Sequence, residues 1–103
     1  MLVNMATQTD VLPGALQAIG DAARRRILQL LKEKGCCSIE KSTGMCACDI
    51  EARLKLSQPT ISHHMRILTK AGLVQATKVG PWMWYRRNEK AIQEFLGALR
   101  DDL

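Results

Sequence analysis

The stretch Ser57 to Leu68, SQPTISHHMRIL, constrains the fold more than any other part of this 103-residue chain. Ser57 is placed to cap a helix with its hydroxyl, and Pro59 falls inside the first turn, where a missing N–H costs little. At about 100° per residue, Ile61, Met65 and Leu68 share one side, while Thr60, Ser62, His63, Arg66 and Lys70 fan over the other. One side packs and the other carries polar groups. An ordinary surface helix looks like this, and so does a helix that reads DNA, so the flanking segments must decide between them.

Ahead of it, Cys46-Ala47-Cys48-Asp49 leads into Ile50, Ala52, Leu54 and Leu56, a short helix for which Asp49 is the expected N-cap. Two short helices joined by a tight turn, the second with a polar outer face, make a helix-turn-helix, although the turn lacks the glycine often found there. After Ala71-Gly72, the runs Leu73 to Val79 and Trp82 to Arg87 flank Gly80-Pro81. They predict a β-hairpin with Trp82 and Trp84 on one face and Met83 and Tyr85 on the other. Lys78, Arg86 and Arg87 make it basic. A helix-turn-helix followed by a basic hairpin describes a winged helix, in which the hairpin reaches phosphate or minor groove beside the reading helix. The expected fold class is mainly α with a small β-hairpin.

The remaining segments complete a single domain over residues 11–103, preceded by a polar, unpatterned arm at residues 1–10. Val11 to Ile19 is a short apolar helix (Leu12, Ala15, Leu16, Ile19), interrupted by Gly20. Asp21 caps a second helix with Ile27, Leu30 and Leu31 as its buried stripe. Arg24, Arg25 and Arg26 cannot share one face, so a solvated or paired role outweighs a phosphate site. Gly35 is expected to end that helix, and Gly35 to Met45 reads as a loop. Asn88 caps a last helix with Ile92, Phe95, Leu96 and Leu99 in one stripe. The two end helices carry more apolar surface than so small a domain can hide, which points to a homodimer.

Lys and Arg outnumber Asp and Glu by 15 to 10, a formal charge of +5 that favours a polyanionic partner. With 47% hydrophobic and 24% charged residues, the chain suits a folded domain. No apolar run approaches the roughly 20 residues of a membrane span, and no signal-peptide pattern opens the chain. It is therefore expected in the cytoplasm, where cysteines are thiols with a chemical task more often than structural disulfides.

All four cysteines fall between Cys36 and Cys48. Residues two apart diverge on a regular helix but converge in an extended segment. With Asp49 as the cap, Cys46 to Cys48 is the extended lead-in, and the positive helix start favours their thiolates. Soft thiolates without an available imidazole suit arsenite or antimonite through three sulfurs, or cadmium, lead or zinc through four. CC and CxC are tighter than the CxxC usual for structural zinc. Two alternatives stay open: a reversible disulfide, and small buried cysteines acting as hydrophobes. His63 points outward; His64 lies nearer the Ile61/Met65 side and is expected to be packed and hydrogen-bonded.

The motifs MCACDIEARLKLSQPTISHHMRILTKAGLV and GPWMWYR, preceded by GDAARRRILQLL, resemble the ArsR/SmtB family of metal- and metalloid-responsive transcriptional repressors. The likeness runs from about Leu12 to the C-terminus. It implies a homodimeric winged helix that sits on an inverted-repeat operator in double-stranded DNA and leaves when an inducer ion binds, with no permanent cofactor. The family's DNA contacts carry over to Gln58, Thr60, Ser62, His63 and the wing. Ser57, Arg66, Lys78 and Arg86 complete the expected interface. The family's thiolate site carries over to Cys46 and Cys48, with Cys36 or Cys37 as candidates for further ligands. The chain departs from members that bind zinc or cobalt at the last helix, for it has no histidine there. No CxxC beside a βαβ unit, no HExxH and no carboxylate pair at a cleft supports an enzyme. A metal carrier would leave the basic hairpin without a use.

Overall fold

The computed structural model describes residues 12–37 and 44–103, the side chains of residues 33–37 excepted. The expected arm at residues 1–10, Val11 and the middle of the expected loop lie outside the described residues. Helix α1 spans 12–19, followed by α2 (Ala22–Cys37), β1 (Met45–Cys46), α3 (Ala47–Leu54), α4 (Gln58–Lys70), β2 (Val74–Val79), β3 (Trp82–Arg87) and α5 (Glu89–Asp102). The strands form one antiparallel sheet in the order β1-β3-β2. Among the described residues, no helix is long and apolar enough to cross a membrane.

Three caps arise where the sequence places them. Asp21 Oδ1 accepts from the N–H of Ala23 at 2.8 Å and of Arg24 at 3.2 Å. The Arg24 bond is the main reason its carboxyl is held below its ordinary range. Ser57 Oγ accepts from Thr60 N–H at 3.4 Å, and Asn88 Oδ1 from Ala91 N–H at 3.2 Å. Each satisfies a donor that the first turn of a helix leaves open.

Two boundaries differ from expectation. Helix α2 does not end at Gly35 but continues to Cys37. A glycine stops a helix when it adopts the left-handed cap; otherwise it weakens the helix by about 1 kcal/mol. The buried stripe of Ile27, Leu28, Leu30 and Leu31 is large enough to carry that. At the other end of the expected loop, Met45 and Cys46 form a strand, pairing with Tyr85 and Trp84. Two residues are too few to show a strand period.

The cap of α3 is also not Asp49. Pairing with β3 holds Cys46 extended, at φ −70° and ψ 147°, so the helix begins directly after it. Cys46 is the N-cap, with no side-chain capping bond, and Asp49 sits inside the first turn, where a carboxylate complements the positive helix end. The missing turn glycine is explained at Lys55, which takes the left-handed conformation itself (φ 56°) and closes α3 through its N–H to Glu51 O at 2.7 Å.

The core gathers side chains from every layer: Ile27 of α2, Ile50 of α3, Ile61 and Leu68 of α4, Val74 of β2 and Phe95 of α5. Arg24 ties its upper edge together. Its Nε donates to Ala18 O at 2.6 Å, one terminal nitrogen to Gln17 O at 3.2 Å and the other to His64 Nδ1 at 3.2 Å. Arg25 donates to Ile19 O. Two of the three adjacent arginines thus close the end of α1, which accounts for their crowding.

Arginine is a donor only, so His64 Nδ1 accepts and Nε2 carries the proton of a neutral ring. Burial lowers the pKa of His64 from its ordinary 6.5. A base whose folded pKa is depressed contributes stability that is complete above its unfolded pKa and is lost as pH falls toward the folded value. We expect the melting temperature to decline between pH 7 and pH 5, and the decline to be shallower in His64→Gln. Parallel melting curves for the two proteins across that range would contradict this.

Candidate functional site

The cysteine pair sits where strand passes into helix. Cys46 is the last residue of β1 and the N-cap of α3; Cys48 lies in the first turn of α3. Because one residue is extended and the next two are helical, the side chains swing to the same side. The Cys48 thiol donates to Cys46 Sγ at 3.1 Å. Cys46 is buried and Cys48 is exposed. That bond is the largest of several influences holding the Cys48 thiol above its ordinary pKa, against the thiolate bias expected from the helix start.

Two thiolates on one tetrahedral ion at about 2.3 Å stand about 3.8 Å apart. The observed sulfurs therefore need to separate by less than an ångström, and they fit two positions of a soft ion. Among the described residues, no three His, Cys, Asp or Glu side chains converge. The backbone of Cys36 and Cys37 closes α2, while their side chains lie outside the described residues.

The second feature is the outer face of α4. Gln58, Ser62, His63 and Arg66 are exposed and Thr60 is half-buried. Ser57 and Thr60 also bond to each other, hydroxyl to hydroxyl at 2.9 Å, so both serve the cap as well as the face. His64 is buried, 8% exposed, as expected for the packed histidine. Ser62, Arg66 and Lys70 recur at four-residue spacing, and with Ala76 and Tyr85 they line an open cleft of about 460 Å³ between α4 and the wing. Helix α4 and the hairpin thus form one surface.

From Ser57 to Asn88 the chain has five Lys or Arg and no Asp or Glu. Arg87 is turned inward: its guanidinium donates to both Glu89 oxygens, at 2.7 and 3.1 Å, and to Leu28 O at 3.2 Å. Arg86 is held across the hairpin by Gln75 Oε1 at 2.9 Å. Lys78 is exposed on β2.

The model of the family described as "Bacterial regulatory protein, arsR family" matches residues 21–76. The chain belongs to the ArsR family. An uncharacterised HTH-type transcriptional regulator of Methanocaldococcus jannaschii is 44% identical over 87 residues, covering 84% of this chain and 88% of its own. An arsenical resistance operon repressor of Staphylococcus aureus is 35% identical over 85 residues, covering 82% and 72%. A solved possible transcriptional regulator for arsenical resistance superimposes with a TM-score of 0.67 at 28% identity, covering 84% of this chain and 80% of that one.

This ArsR-family chain is accordingly a DNA-binding transcriptional regulator and not an enzyme. Its α3–α4 pair and basic hairpin make a winged helix-turn-helix, with β1 joining the hairpin in a three-stranded sheet. Sequence reasoning places Lys70 on the outer face of α4 without marking it as a contact; its spacing from Ser62 and Arg66 carries the signal. Trp82 is assigned by the sequence only to a hairpin face.

Proposed function

We propose that this regulator is a homodimeric repressor that leaves its operator when a soft metal or metalloid ion is held by Cys46 and Cys48, completed by a sulfur of Cys36 or Cys37. The observation that carries the reading is the 3.1 Å approach of Cys46 and Cys48 Sγ at a residue that is both strand end and helix cap. A shift of Cys46 moves α3, which packs on the reading helix α4. It also moves the sheet, since Cys46, Trp84 and Thr77 form one row across its three strands. The arsenical resistance repressor named above favours an arsenic species such as arsenite as the ion, with antimonite, cadmium, lead and zinc as further candidates from thiolate chemistry.

The dimer reading draws support from the end helices. Leu16 of α1 and Leu96 of α5 are exposed at 39% and 47%. Beside Leu96, an open apolar hollow of about 230 Å³ is lined by Ile19, Leu28, Leu73, Ile92 and Phe95. A two-fold dimer of such chains presents two reading helices roughly 34 Å apart, matched to an inverted repeat.

The test is retention on duplex DNA from the protein's own promoter, with the protein dimeric by sedimentation. Substituting Gln58, Thr60, Ser62 or His63 is expected to change preference among operator variants. Substituting Lys78 or Arg86 is expected to weaken all sequences alike and to reduce the salt slope by about one unit for each phosphate no longer neutralised. Equal effects of both sets on specificity would overturn the assignment.

The same sulfur approach supports a second reading. Hydrogen peroxide could take two electrons from the Cys46 and Cys48 thiols, leaving a disulfide and two waters. DNA release by peroxide that is reversed by a dithiol, with no ion present, would favour it.

A further inference from the structure

The tip of the wing is apolar, with one exposed cation, Lys78, directly beside it and Arg86 nearer the hairpin base. Trp82 is 56% exposed, and Val79, its partner across the hairpin, is 49% exposed. Gly80 and Pro81 between them are exposed as well. Gly80 takes φ 61°, which closes a two-residue turn, and the strand pairing runs to the last pair before it. Trp82 is therefore presented at the end of a fixed ribbon. The packed residues of the hairpin lie at its base, where Val74 and Tyr85 are buried, so Trp82 does not serve the core.

The charges around the tip indicate what covers it. Lys78 adjoins Val79, Arg86 lies further along β3, and the whole segment from Ser57 to Asn88 lacks a carboxylate. A second copy of the same tip would bring like charges together; a nucleic acid brings phosphates to them. The minor groove, about 6 Å wide, has phosphate rims and apolar sugar walls, and proteins that enter it combine cations with an apolar wedge.

We propose that Trp82 is a direct DNA contact. The tip Val79 to Trp82 enters the minor groove beside the reading helix, the indole packs on the deoxyribose walls, and Lys78 and Arg86 meet the flanking phosphates. This rests on the placement of the reading helix and wing given above, and it adds a contact that displaces water and not counterions.

That difference supplies the test. Affinity for promoter duplex is measured at several salt concentrations for the wild type, Trp82→Ala, Trp82→Phe and Lys78→Ala. Trp82→Ala is expected to lose about tenfold at every salt concentration with the slope unchanged, while Lys78→Ala lowers the slope by about one unit. Trp82→Phe should recover most of the loss. In a Trp84→Phe background, emission from Trp82 should become protected from acrylamide when duplex is added.

Unchanged affinity in Trp82→Ala, or an indole equally quenched with and without DNA, overturns the proposal. So does a loss of affinity that tracks a change in the sedimentation of the free protein, which would assign the tip to a contact between copies. If the wild type itself fails to bind promoter duplex, the failure is that of the DNA reading as a whole. Trp82 is exposed, so its substitution leaves the fold intact, and equal melting temperatures check this.

Discussion

Gly44→Ala is expected to produce the largest loss of stability of any single methyl addition at a described glycine. Gly44 has φ 91°, and a Cβ there would stand 2.1 Å from the carbonyl oxygen of Tyr85, 2.6 Å from its carbonyl carbon and 2.9 Å from Arg86 Cβ. The first two obstacles are backbone of the central strand, which cannot rotate away. Backbone strain of this kind is worth about 1–3 kcal/mol by itself, and displacement of a sheet neighbour adds to it. A total near 3 kcal/mol corresponds to a fall in melting temperature on the order of 15 °C for a domain of this size. Gly80→Ala is the control, because Gly80 also has positive φ but nothing lies within 4 Å of its Cβ position. It should cost about 1–2 kcal/mol, the left-handed strain alone. Equal melting temperatures for the two variants would show that the Gly44 approach to β3 is not what holds β1 in place.

The contrast between those glycines marks what the sequence discloses. Asp21, Ser57 and Asn88 cap their helices because capping is local, written in a side chain and the two or three amides after it. The hairpin was legible for the same reason, as two β-rich runs around Gly80-Pro81. The start of α3 was not legible. Asp49 is the better capping residue, yet Cys46 begins the helix because a strand far along the chain holds it extended. Local preference yields to tertiary pairing there, and a two-residue strand leaves no period to read. The sequence predicts convergence of Cys46 and Cys48 through a fully extended lead-in, which the structure does not have. The strand-to-helix junction reaches the same result with one extended residue. The proposed third sulfur would come from Cys36 or Cys37, and the spacing of those residues does not fix where their side chains go.

Replacing Cys46 and Cys48 together by serine is expected to leave operator binding intact and to abolish its release by ion. Both substitutions suit their positions. Serine is a good N-cap, so at residue 46 it can supply the capping bond that Cys46 lacks, and Cys48 is exposed. What is lost is the pair of soft donors. An ion shifts a regulator off DNA only by binding the DNA-free shape better, and a tenfold fall in operator affinity requires about 1.4 kcal/mol of such coupling. With hydroxyls in place of thiols, an arsenite or cadmium ion finds no soft ligand at residues 46 and 48, and the coupling should approach zero. The measurement is operator affinity of wild type and variant, each with and without arsenite, antimonite, cadmium, lead and zinc, under a reductant that prevents disulfides. Single Cys36→Ser and Cys37→Ser variants then separate the ions, since three sulfurs suffice for arsenite while cadmium uses four. A double variant that still binds DNA and still releases it with the same ion would place the switch elsewhere in the molecule.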